Sequence, residues 1–86
     1  MFKIKAKDGT NNICGKKLAE FRKQKGLSQR RLAEKMQLLG YDVDHYFIRR
    51  VENGERFLTD IDLVIFSNAL QIPISDIIPS DYKESV

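Results

Sequence analysis

Few residues in this chain can do chemistry, and their spacing excludes most catalytic sites. The chain has one histidine, His45, and one cysteine, Cys14, so motifs that need two histidines or several cysteines are impossible. A nucleophilic pair of these two residues is the remaining catalytic option. A cysteine spaced like its apolar neighbours on a helix more often packs as a small hydrophobe, and His45 is more simply a surface residue. We therefore predict no enzyme, no metal site and no cofactor.

Large polar side chains are concentrated in one short segment, where His45, Tyr46, Arg49 and Arg50 surround few apolar residues. The formal net charge of +3 is unevenly spread, because residues 1–56 carry +7 and residues 57–86 carry −4. A basic half favours a polyanionic partner, either nucleic acid or an acidic membrane surface. A membrane partner requires a basic amphipathic helix with a large apolar face, and the most apolar segment here carries acids. We expect no membrane contact.

Eighty-six residues predict a single small domain. Residues 1–11 are expected to be a basic N-terminal arm, for which a disordered tail is favoured over an edge strand. Residues 12–79 hold the folded domain, and residues 80–86 form a polar tail expected to fray. A lone thiol and the lack of a signal peptide favour the reducing cytoplasm.

Apolar spacing predicts five helices and no strands. Their expected ranges are about 13–25, 29–39, 45–52, 60–70 and 76–78. Short polar side chains that can accept hydrogen bonds from the first free N–H groups precede each one. These expected caps are Asn11 or Asn12, Ser28, Asp42 or Asp44, Thr59 in a capping box with Asp62, and Ser75.

The second and third helices, joined by a turn at Gly40, have the pattern of a helix-turn-helix. The third helix has only Ile48 and Val51 as clear inward residues, which suits a helix whose other face enters the DNA major groove. Three segments, L-S-Q at 27–29, L-A-E-K at 32–35 and I-R-R-V-E-N-G at 48–54, together resemble the Cro/CI-type helix-turn-helix of the XRE regulators. The resemblance covers about residues 13–78 and implies an all-α, five-helix, lambda-repressor-like domain.

The sequence departs from that family at the end of the second helix. Gln37 stands where the family usually has glycine, and about five residues, roughly Leu38 to Asp42, are extra. We expect them to add a turn to the second helix, with Leu39 extending the apolar stripe of Leu32 and Met36, and to lengthen the following turn. The register of residues 43–54 should be unchanged.

The resemblance implies roles for individual residues. In the family, the recognition-helix positions of His45, Tyr46 and Arg50 face base edges, and Arg49 beside them contacts bases or phosphate. Ser28 and Gln29, at the start of the second helix, and Asn53 and Arg56, after the third, are expected to contact the DNA backbone. Gln29 has a plain solvent-facing alternative. Arg22 and Glu52 match a family ion pair that joins the first helix to the third.

The predicted function is sequence-specific binding of double-stranded DNA by a transcriptional regulator, which we expect to be a repressor. The alternative is an antitoxin-like or other protein-interaction module of the same fold. Because one recognition helix reads only a few base pairs, we expect a homodimer on a palindromic operator. Its contact is expected around the fifth helix, at Ile74, Ile77, Ile78 and Tyr82.

Overall fold

The computed structural model describes residues 5–82 and contains five α-helices, with no strand among those residues. The all-α fold class is therefore confirmed. The helices are α1 (Gly15–Gln24), α2 (Gln29–Leu38), α3 (His45–Glu52), α4 (Asp60–Leu70) and α5 (Ile74–Ile77), and a 3-10 turn spans Ser80–Tyr82. In residues 5–82, no helix combines the length and hydrophobicity that crossing a lipid bilayer requires.

One apolar core holds the helices together. Its fully buried large side chains come from all five helices: Leu18, Leu32, Met36, Ile48, Val51, Phe66, Leu70 and Ile77. Burying each such side chain is worth about 1.5–3 kcal/mol relative to exposure, so the core supplies the main drive for folding. The core holds α3 through Ile48 and Val51, which lie on one face of that helix.

Most helix starts match the expected caps. Ser28 accepts a hydrogen bond from Arg31 N, Asp44 accepts one from Phe47 N, and Thr59 forms the capping box with Asp62. At α1, the expected Asn12 side chain accepts hydrogen bonds from Cys14 N and Gly15 N, but the helix begins at Gly15, two residues later than expected, and Cys14 lies buried just before it.

The expected range and cap of the last helix were wrong. Helix α5 spans Ile74–Ile77 instead of 76–78, and Pro73, not Ser75, precedes its first residue. Proline suits this place because its ring presets φ near the helical value, and the first N–H of a helix has no intrahelical partner to lose.

The extra residues at the end of α2 form a turn, and its two leucines do not extend the core stripe. Helix α2 ends at Leu38, and Leu38 and Leu39 are exposed, so the expected role of Leu39 was wrong. Gly40 adopts the left-handed conformation, and its N–H donates to Gln37 O. The Gln37 side chain then donates from Nε2 to Val43 O at 2.7 Å, which ties the longer turn back to α2.

The ends of the described chain lie together. Residues 5–11 differ from the expected disordered tail, because Ala6 N donates to Thr10 O and closes a turn. Lys7 N donates to Tyr82 Oη at 2.7 Å, which joins this turn to the 3-10 turn after α5 instead of leaving that segment frayed. The expected arm at residues 1–4 and the last tail residues, 83–86, lie outside the described residues.

Candidate nucleic-acid interface

Helix α3 has a buried face and an exposed polar face. Ile48 and Val51 are fully buried, whereas Tyr46, Arg49 and Arg50 are exposed. Residues three and four apart share a helix face, so these three side chains form one continuous strip. Their charge and exposure make the strip suited to an anionic ligand.

Contacts between neighbouring side chains order part of this strip. The rings of His45 and Tyr46 lie 4.2 Å apart, with an interplanar angle of 34°. The Arg49 guanidinium lies over the Tyr46 ring, 5.7 Å from its centroid, in cation–π range. His45 is thereby half-buried beside Tyr46.

The segment after α3 folds back on that helix. Arg50 O accepts hydrogen bonds from the backbone N–H groups of Glu55 and Arg56. The Arg56 guanidinium lies 4.7 Å from the centroid of the Phe47 ring, which in turn stacks on Phe66 at 6.0 Å. Arg56 is therefore placed beside α3, next to exposed Asn53, and not on a free loop.

Acidic groups lie close to this basic surface. A groove of about 620 Å³ beside α3 is lined by Arg50 and Arg56 together with Asp42, Asp44 and Asp62. Asp44 and Asp62 already accept hydrogen bonds from backbone N–H groups at the starts of α3 and α4. Those bonds direct each carboxylate toward a positive helix end, which limits its repulsion of an anion outside the groove.

The start of α2 is linked to the end of α3. Gln29 donates from Nε2 to Glu52 Oε1 at 3.0 Å, so its side chain points to α3 and not only to solvent. Ser28 is exposed, and its Oγ accepts from Arg31 N. The structure thus brings Gln29 close to the α3 residues, on the side of Glu52.

Arg22 and Glu52 form a nearly buried two-pronged ion pair between α1 and α3. Arg22 Nε donates to Glu52 Oε2 at 2.6 Å, and Nη2 donates to Oε1 at 3.1 Å. The exposed side-chain fractions are only 11% and 8%. The third nitrogen, Nη1, donates to Leu27 O at 2.7 Å, so the pair also holds the turn between α1 and α2.

Sequence reasoning missed two contributors to this surface. Phe47 is not among the expected inward residues, although it lies four residues before Val51 and packs against the core. Asn12 was considered only as a cap, but its side chain also reaches the end of α3. The first could be found from spacing, whereas the second depends on a contact 39 positions away.

The residues expected at a dimer contact have different environments. Ile77 is fully buried and closes the monomer core, and Tyr82 is held by its bond from Lys7. Ile74 remains 37% exposed. On α4, Ile61 is 60% and Val64 46% exposed, which is more than Ile74.

Comparisons with known proteins agree with this architecture. The helix-turn-helix family model HTH_3 matches residues 18–77. Among solved structures, the chain is similar to the restriction-modification controller protein C.AhdI from Aeromonas hydrophila, with 30% sequence identity and a TM-score of 0.66. The match covers 74% of this chain and 86% of that one. A search of curated proteins found no match.

The family match includes the turn at Gly40 and the α3 strip, so the residues that define the candidate interface lie inside the shared region. The resemblance seen in the three sequence segments is therefore confirmed by the family match, the fold and the solved relative together. The chain belongs to the Cro/CI-type helix-turn-helix family of the XRE group, and it is a DNA-binding transcriptional regulator.

Proposed function

We propose that the protein binds double-stranded DNA sequence-specifically by inserting α3 into the major groove, and that it acts as a repressor. The observation that carries this proposal is the two-faced α3, with Ile48 and Val51 fully buried and Tyr46, Arg49 and Arg50 exposed on one strip. A helix of this width fits the major groove, where base edges display distinct donors and acceptors. A protein bound across a promoter excludes polymerase, and this is the mode of repression that we propose.

The exposed strip supplies the base contacts in this proposal. Arg50 presents a planar fork of donors suited to O6 and N7 of one guanine. Tyr46 contacts a thymine methyl group or a phosphate through an exposed ring. His45 lies beside it, and Arg49 is held over the Tyr46 ring, where it contacts a base or an adjacent phosphate.

In this proposal, contacts to the DNA backbone come from the start of α2 and from the segment after α3. Ser28 and Gln29 lie at the start of α2, where free N–H groups and the helix dipole favour a phosphate. Asn53 and Arg56 lie after α3, and Arg56 is already held against Phe47. Such contacts set register and affinity but carry no sequence information.

The regulator is proposed to work as a homodimer on a palindromic operator. Two copies place two α3 helices about 34 Å apart, one turn of DNA, and double the number of bases read. The exposed side chains of Ile61 and Val64 on α4, with Ile74 nearby in sequence on α5, supply an apolar surface for the second copy. Ile77 is not available for this contact, because it is buried in the core of its own chain.

Selection from a random duplex pool tests base reading directly. Bound fragments should share two half-sites about 10 base pairs apart. On that site, Arg50→Ala should cost about 1–3 kcal/mol and relax preference at one base pair. Arg56→Ala should weaken binding to selected and random duplexes alike. If Arg50→Ala leaves the specificity ratio unchanged, the assigned reading strip is wrong.

Sedimentation of the free protein and of its DNA complex tests the dimer. Ile61→Asp should reduce two-copy occupancy of the operator, because a charge would be desolvated at the contact. Leu38→Asp is the matched control, since Leu38 is also an exposed apolar residue but lies on α2. A single copy bound to an asymmetric site would refute the dimer while leaving DNA binding intact.

A further inference from the structure

The Asn12 side chain joins three parts of the chain that are distant in sequence. Its Oδ1 accepts hydrogen bonds from Cys14 N at 3.1 Å and from Gly15 N at 2.7 Å, at the start of α1. Its Nδ2 donates to Val51 O at 3.1 Å and to Arg56 O at 2.8 Å. One amide therefore caps α1 and holds both the end of α3 and the segment that follows it.

Close backbone packing explains why one short side chain can reach all these groups. A Cβ atom on Gly15 would lie only 2.3 Å from Val51 O and 3.1 Å from Glu52 O, so the start of α1 is in contact with the end of α3. Val51 O, one of the two carbonyls bonded by Asn12, belongs to this crowded junction. An amide is required there, because only a side chain with both an acceptor and two donors can serve all four groups.

The residues before Asn12 hold the same segment by additional bonds. Asn11 N donates to Gly54 O at 2.8 Å, and Asn11 Nδ2 donates to Glu55 O at 2.8 Å. A Cβ atom on Gly54 would lie 2.7 Å from the Thr10 side chain, so this contact is tight as well. Residues 53–56 thus lie between α3 and the chain that precedes α1.

We propose that Asn12 is a positioning residue for DNA binding, which fixes the backbone of residues 53–56 so that Arg56 and Asn53 meet phosphates in register with α3. Arg56 is held from two directions, its carbonyl by Asn12 and its guanidinium by the Phe47 ring. Ordering this segment before DNA arrives removes part of the entropy cost of binding. The inference rests on the proposed function, which assigns Asn53 and Arg56 to the DNA backbone.

Two substitutions separate positioning from helix capping. Asn12→Asp keeps an oxygen that accepts from Cys14 N and Gly15 N, but it has no donor for Val51 O or Arg56 O. Asn12→Ser also keeps a capping oxygen and has a shorter reach. The probe is a fluorescein-labelled random 20-base-pair duplex, with anisotropy measured from 50 to 200 mM salt.

The expected result for Asn12→Asp is about a tenfold loss of affinity, the order of one charge-assisted hydrogen bond. The slope of log K against log salt should fall by about 0.9, the value for one lost phosphate contact. Arg56→Ala should give the same change of slope. In the Arg56→Ala background, Asn12→Asp should leave the salt slope unchanged and cost less affinity than it does in the wild type, because only the uncharged Asn53 contact remains to be lost. A general structural role would make the two losses add.

Hydrogen exchange provides a readout that does not depend on DNA. The amides of Glu55 and Arg56 should exchange faster in Asn12→Asp, while the amides within α4 stay protected. Unchanged affinity and slope in both Asn12 variants would overturn the inference, and so would additive losses or unfolding of the whole domain. A wild-type protein without salt-dependent DNA binding would instead refute the proposed function itself.

Discussion

Removing the Glu52 carboxylate should destabilise the domain more than any surface substitution. Glu52 accepts three hydrogen bonds, two from Arg22 and one from Gln29, and its side chain is only 8% exposed. In Glu52→Ala these donors lose their acceptor inside the protein. The Arg22 guanidinium then keeps its bond to Leu27 O but remains a nearly buried charge with no counterion at that place.

The expected cost follows from that burial. Breaking a buried ion pair by deleting one partner costs about 3–5 kcal/mol, compared with under about 1 kcal/mol for an exposed pair. A domain of this length has a total stability of about 4–13 kcal/mol at the usual stability per residue. Since each kcal/mol corresponds to about 4–8 °C in a domain of this size, Glu52→Ala should lower Tm by at least 12 °C.

Urea unfolding followed by circular dichroism measures this loss, and the chain contains a matched control. Arg31 and Glu34 also form an ion pair, at 3.6 Å, but their side chains are 72% and 59% exposed. Glu34→Ala should change the free energy of unfolding by under about 0.5 kcal/mol. Replacing Arg22 and Glu52 together by leucine should recover most of the loss, because no charge is then stranded. A Glu52→Ala cost no larger than that of Glu34→Ala would refute the buried-charge reasoning.

Three further predictions concern the segment around the start of α1. Gly15→Ala should lower the free energy of unfolding in urea by about 1–3 kcal/mol, because the added Cβ would lie 2.3 Å from Val51 O. An unchanged free energy of unfolding would contradict that packing. Burial raises the pKa of the Cys14 thiol, so a thiol reagent at neutral pH should label it only after unfolding, and fast labelling of the native protein would count against its burial. The hydrogen bond from the Thr10 hydroxyl lowers the pKa of Asp8. Its stabilisation of the fold is therefore present above the usual carboxylate pKa and is lost as pH falls through the lower native pKa. Thr10→Val should raise the Asp8 pKa in an NMR titration.

Helix positions could be predicted because their causes are local. Apolar spacing and capping residues placed α3 and α4 at their observed bounds, and the capping box of Thr59 and Asp62 was recognisable from two residues. The errors lay at helix ends, where apolar spacing alone does not decide whether a residue packs. Leu39 has the right spacing for the α2 stripe, but Gly40 turns the chain before it can pack.

The candidate site was predictable only in part, because some of its contacts join residues far apart in the sequence. The exposed strip of α3 follows from the amphipathic pattern of residues 45–52. The pairing of Arg22 with Glu52 came from family resemblance, because neither residue belongs to an apolar stripe. The bonds of Asn12 to Val51 and Arg56 leave no pattern in the sequence, since they depend on how closely α1 and α3 approach.

These contacts hold the two ends of α3 unequally. At its end, Glu52 is bonded to α1 and α2, while Asn12 bonds the Val51 carbonyl. At its start, the Asp44 cap is internal to the helix and Phe47 stacks on Phe66. The longer turn before it is tied to α2 by the bonds from Gln37 to Val43 O and from Tyr41 N to Met36 O. We therefore expect an insertion in that turn to act on the start of α3 more than on its end. In the proposed binding mode the first residues of α3 contact base edges, so such a change would alter which bases are read, while the proposed contacts to phosphate after α3 would keep their register.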